Sequence, residues 1–160
     1  MTLGADEKSL TAAYGHFKTE AQNVSADYKP ETVNTDGWDA TQSAWCTLFT
    51  QITVILCFLH SFIKIRDRCK RLKDLYGEIK TRVWDAYCAL DADAFTRKIA
   101  ALKAWATETM PAGSGLAAVL QLCYRAPEFV KAYAHPAAYR TSNRVVPLSI
   151  LSANLNMTAG

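Results

Sequence analysis

Residues 33–68 read VNTDGWDATQSAWCTLFTQITVILCFLHSFIKIRDR, and this stretch decides the fold class. It begins inside a short β-branched segment, residues 31–36 (ETVNTD), which is closed by the turn dipeptide Asp36-Gly37. Residues 39–49 follow, with Ala40, Ala44, Trp45 and Leu48 at helical spacing. Residues 52–59 (ITVILCFL) are apolar without a break and β-branched at their start, which suits a strand buried on both faces. Strand, helix, strand is the unit of an α/β sheet. Two strands make a poor sheet alone, so further strands from another region or a partner are expected to complete it. Until then a sheet edge is exposed, with a tendency to aggregate or to pair with another chain.

Upstream, residues 7–24 carry Leu10, Tyr14, Phe17 and Ala21 on one helical face, and residues 25–30 form a polar break. Downstream the character becomes helical. Phe62, Ile65, Cys69, Leu72, Tyr76, Ile79 and Val83 recur in alternating steps of three and four, which predicts one long amphipathic helix. Its stripe suits either a coiled-coil seam or packing against neighbouring helices. Residues 93–108 (Phe95, Ile99, Leu102, Trp105) and 116–124 (Leu116, Val119, Leu120, Cys123) predict two more helices, parted by Pro111, Gly113 and Gly115. Pro127 is placed to open a last short helix ending near Tyr133. The fold class expected is α/β with a large all-α part, divided as residues 1–60, 61–136 and 137–160.

The chain has 160 residues and is half apolar, enough for one ordinary domain with a core. At 21% charged it is not a disordered tail. Net charge is only +3, yet residues 61–73 hold six basic side chains (Lys64, Arg66, Arg68, Lys70, Arg71, Lys73) against the single acid Asp67. A concentrated positive face suits a polyanion such as DNA; a solvated helix face is the plainer reading. The five cysteines, Cys46, Cys57, Cys69, Cys88 and Cys123, are odd in number and irregularly spaced, as expected of reduced thiols in a cytoplasmic protein. The start MTLGADE carries no secretory pattern. The most apolar run is shorter than the roughly 20 residues that span a bilayer, so no membrane partner is expected.

Three features could carry chemistry. Asp36, at the carboxyl end of a strand and before a glycine, sits where open α/β sheets place ligands, and a carboxylate there can hold a divalent metal; Asp-Gly is also an ordinary turn. Cys57 and His60 form a C-x-x-H. A zinc site would need two more ligands, with Cys69 and His135 on hand but at no recognised spacing. Arg140-Thr141-Ser142-Asn143 offers donors for phosphate oxygens, or a helix N-cap.

Taken in order, these features resemble the core of Mutator-like DDE transposases. That family shows a strand ending Asp-Gly, a helix ending Phe-Pro, a strand ending C-x-x-H and then a basic helix. Asp36 matches its second catalytic aspartate, Cys57 and His60 its C-x-x-H, and Phe49-Thr50 its Phe-Pro with threonine in place of proline. The helical stretch to about residue 134 looks like the insertion that interrupts the catalytic core. Arg140 to Asn143 resembles the T-T-N ahead of the third catalytic acid. The resemblance implies a partial RNase H-like core and a site of three carboxylates holding two Mg²⁺ ions, which cuts DNA and joins it to a target. Asp36 would be both catalytic and metal-binding. DNA contacts would come from Lys64, Arg66, Arg68, Lys70, Arg71, Lys73, Arg140 and Asn143. Location would be cytoplasmic, at the nucleoid in a bacterium. Two departures stand out. Nothing before Asp36 matches the first aspartate, and the third acid falls on Val146, with no Asp or Glu from residue 144 to 160. The expectation is a truncated transposase fragment that does not cut DNA alone. As an alternative it is a remnant that binds DNA, a full-length transposase or itself.

Overall fold

The computed structural model describes residues 6–136. Helix α1 (Glu7–Val24) starts where the Asp6 carboxylate accepts the Ser9 amide at 2.8 Å, a side-chain cap for one of the first free N–H groups. Strand β1 (Thr32–Thr35), helix α2 (Asp39–Leu48) and strand β2 (Thr53–Leu56) follow as a β-α-β unit. The strands are parallel, Thr32 opposite Thr53 and Thr35 opposite Leu56. Two further backbone bonds flank the ladder, from Thr53 N–H to Glu31 O and from Cys57 N–H to Thr35 O. Among the described residues the sheet has these two strands.

The second strand is shorter than the apolar run predicts. Cys57 caps helix α3 (Phe58–Cys69), so Cys57 and His60 lie at a helix start rather than a strand end. A continuous apolar run is ambiguous between strand and buried helix. Here tertiary contact decides it. Phe58 packs on Tyr87, Phe95 and Phe129 at centroid distances of 5.1 to 6.4 Å, and Phe58, Phe62, Ile65 and Cys69 share one helical face.

The expected long helix is two helices. The chain leaves helical geometry at Leu72 (φ −87°, ψ 66°) and restarts as α4 (Lys73–Tyr87). The sequence stripe does not reveal the break, because the step from Cys69 to Leu72 can be spanned by a turn as well as by a helix. The bend lets α3 pack on α6 (Ser114–Tyr124) while α4 packs on α5 (Ala92–Thr109). Ile65, Cys69, Ile79 and Val83 are all buried inside the chain, so the stripe is core, not a coiled-coil seam. Helix α5 (Ala92–Thr109) is capped by Asp91 on the Ala94 amide, and α6 (Ser114–Tyr124), α7 (Ala126–Val130) and a 3-10 turn (Lys131–Ala134) complete the bundle. Gly115 allows α3 and α6 to meet: a Cβ there would stand 3.2 Å from both Cys69 Sγ and Leu72 Cδ1. The fold is therefore α/β with a large all-α part: mostly helical, with a small parallel sheet. Among the described residues no helix is long and apolar enough to cross a membrane.

Candidate functional site

In a parallel pair both carboxyl ends point the same way, so the residues that follow β1 and β2 emerge side by side. Asp36 and Gly37 follow β1; Cys57 and then α3 follow β2. Gly37 adopts φ +88°, a region costly for residues with a Cβ, which explains glycine at this turn. The Asp36 carboxylate accepts the Trp38 amide at 3.1 Å, and the Gly37 amide donates to Thr35 Oγ1 at 3.3 Å. A cleft of about 80 Å³ opens beside this turn, lined by Asp36, His60, Ser61, Lys64, Gln121 and Arg125 among others. Asp36 and His60 thus come together.

Cys57 does not join them. It is buried, does not line the cleft, and its thiol makes no capping bond to α3. Cys69, which a zinc site would have needed as a further ligand, is sealed in the α3–α6 contact, where burial pushes its thiol up from the ordinary range. Among the described residues no group of three His, Cys, Asp or Glu side chains could hold a metal ion. Mg²⁺ wants near-octahedral oxygen donors. Among the described residues Asp36 is the one carboxylate lining the cleft, beside the cations Lys64 and Arg125, and this set does not fit two Mg²⁺ ions.

The basic run does not form one face. At 3.6 residues per turn Lys64 and Arg68 lie on one flank of the buried stripe of α3, and Arg66 and Lys70 on the other. Arg71 and Lys73 fall at the bend and the start of α4. All six side chains are exposed. Arg66 pairs with its neighbour Asp67 at 3.1 Å, while the Lys64 ammonium reaches Gln121 Oε1 at 2.7 Å. Only Lys64 of the six lines the cleft. Arg140 and Asn143 lie outside the described residues.

Sequence reasoning missed Arg125. Its Nε and Nη2 donate to the two carboxylate oxygens of Glu128 at 2.9 and 3.0 Å. That bonding holds Arg125 further up and Glu128 below the usual carboxylate range. The guanidinium also lies over the Asp36-Gly37 turn. A Cβ on Gly37 would stand 2.7 Å from Nη1 and 2.9 Å from Nη2. The Arg125–Glu128 spacing beside Pro127 was a visible signal for the ion pair; its approach to Gly37 is a long-range contact that no local pattern carries.

A larger concavity of about 510 Å³ lies at the other end of the sheet, before β1 and β2, among Lys18, Tyr28, Lys29, Phe49 and neighbours. Lys18 is already committed there, donating to Leu48 O at 2.9 Å with its ammonium 5.0 Å from the Phe49 ring centre. The smaller cleft is the better candidate, because an acid, an imidazole and an ammonium with no ion pair among the described residues line it together. Comparison of the chain with protein-family models, curated proteins and solved structures finds no match.

Proposed function

We propose that this chain is part of the catalytic core of a Mutator-like DDE transposase, and that by itself it binds DNA without cutting it. In this reading β1 and β2 belong to an RNase H-like sheet, and α3 onward to the helical insertion. One observation carries the reading: Asp36, just after β1, and His60, in the first turn of the helix that follows β2, line one cleft with Lys64. A single carboxylate among the described residues of the cleft supports the absence of cleavage, since two-metal phosphoryl transfer needs several carboxylates to hold its ions. Arg68, Lys70, Arg71 and Lys73 form no ion pair among the described residues and are exposed, which leaves them available to a phosphate backbone.

The test is a pair of measurements on the purified chain. Labelled duplex DNA is incubated with Mg²⁺ or Mn²⁺, and binding is followed by fluorescence anisotropy across a salt series. The expected result is intact DNA and an affinity that falls linearly with the logarithm of salt. Metal-dependent nicking that disappears in Asp36→Ala would overturn the non-cutting half. Affinity no better than that of another weakly basic protein would sink the DNA-binding half.

A further inference from the structure

We infer that the cleft between the Asp36-Gly37 turn and helices α3 and α6 is a site for a single phosphate group, held chiefly by Lys64. The inference deepens the DNA-binding reading and rests on it for the source of that phosphate. The first argument is charge. The Lys64 ammonium has the neutral Gln121 amide oxygen as its partner at 2.7 Å, and no carboxylate pairs with it among the described residues. An ammonium so placed gains a charge-assisted bond when an anion arrives, whereas Arg66, already beside Asp67, must give one up.

The second argument is the wall around it. His60 and Ser61 come from the first turn of α3, a 12-residue helix whose N-cap, Cys57, contributes no side-chain acceptor. The first turn of α3 therefore borders the cleft with no side-chain cap on its N-terminus, an end that favours anions. Arg125 closes the far side. Glu128 takes its Nε and Nη2, and the guanidinium tip rests where Gly37 has no Cβ. Residues of the sheet and of the bundle thus border one small space.

Size and charge narrow the ligand. The cleft is small, about 80 Å³, and has room for a phosphate group. Asp36 opposes an anion, and Glu128 and Asp39 offset Arg125, so the surroundings are only weakly positive. That suits the single charge of a phosphodiester better than a dianion. The tie from Trp38 N–H to Asp36 Oδ1 holds the carboxylate in its own turn.

The experiment compares Lys64→Gln with Arg97→Gln, an exposed position on α5 that does not line the cleft, with the same loss of charge. DNA affinity is read by anisotropy, and inorganic phosphate is titrated while the His60 ring protons, assigned with His60→Gln, are followed by NMR. The expected result is a loss of about tenfold in DNA affinity for Lys64→Gln, against less than about threefold for Arg97→Gln. The salt slope falls by about 0.9 in Lys64→Gln, the share of one phosphate contact. Phosphate shifts His60 in the parent chain and not in Lys64→Gln. If phosphate shifts His60 but DNA does not bind, the site stands with free phosphate as its ligand and the DNA reading fails. If DNA binds, both variants lose equally and His60 does not respond, the DNA reading stands and the phosphate site is overturned. If neither probe binds, both are wrong.

Discussion

The two halves of the molecule are built to different standards. In the helical half, Phe95, Leu102, Ile79, Val83 and Val119 are almost wholly buried in one continuous core that runs from Leu56 to Phe129. In the sheet half, α1 buries no residue at all. It is held to α2 by rings: Tyr14 stacks on Trp45 at 4.9 Å, Trp45 on Phe49 at 5.7 Å, and Phe17 meets Trp45 edge-on at 6.0 Å while remaining 45% exposed. Close packing of aliphatic side chains gives the bundle its stability; a half-wet aromatic cluster gives the sheet half a weaker hold. The candidate cleft lies on the seam. The firmly packed half supplies its cations, Lys64 and Arg125, and the looser half supplies the Asp36-Gly37 turn.

The largest expected effect tests the firm half. Phe95→Ala empties the point where Phe58, Phe129 and Tyr133 converge and should cost about 3–5 kcal/mol, lowering the melting temperature of the whole chain. A loss under about 1 kcal/mol would show that the bundle core is not where stability resides. Next comes Trp45→Ala. It removes two stacked partners and one edge contact from a partly exposed site, for about 1–3 kcal/mol. The informative readout is amide hydrogen exchange. Protection should fall in α1 and α2 and hold in α4 to α6, because regions with few buried contacts open separately. Exchange that rises equally throughout would mean one cooperative unit and would break the comparison.

The same contrast explains how much was legible in the sequence. Helices α1, α5 and α6 stand close to where apolar spacing places them, since caps such as Asp6 and Asp91 and the breakers around Gly113 mark their ends locally. The β-α-β order was legible for the same reason, with Asp36-Gly37 punctuating it. What failed was decided by distant contacts. The apolar run at residues 52–59 yields its second half to α3 because Phe58 finds rings on α4, α5 and α7. The stripe from Phe62 to Val83 bends at Leu72 because its two halves pack on different partners. At the site, Asp36 and His60 were visible as strand-end and motif residues, and both line the cleft. The basic run was visible as charge, but charge along a sequence does not say which helix flank carries it, so Lys64 could not be told from Arg66. Arg125 left no trace of its contact with Gly37.

The smallest effect probes that contact. Glu128 is held below the ordinary carboxyl range mainly by its hydrogen bonds from Arg125, with burial pulling the other way. A lowered folded-state value means stability that is present above the ordinary glutamate value, near 4.5, and lost as pH falls through the lower folded value. The Glu128 side chain is 39% exposed, so solvent screens the pair and about 0.2–1 kcal/mol is the expected size. Unfolding free energies of the parent chain and Glu128→Gln, from urea titrations, should differ by that much at pH 7 and converge towards pH 3. Other carboxylates titrate in both proteins and cancel in the difference, and any attraction of Glu128 to Lys131 is lost with the same proton. A difference that persists at pH 3 would mean that glutamine fails for reasons of shape rather than charge. If the curves converge while exchange at Gly37 and Trp38 speeds up and that of the bundle does not, the ion pair acts across the seam. Arg125, freed from Glu128, then no longer steadies the turn that borders the cleft.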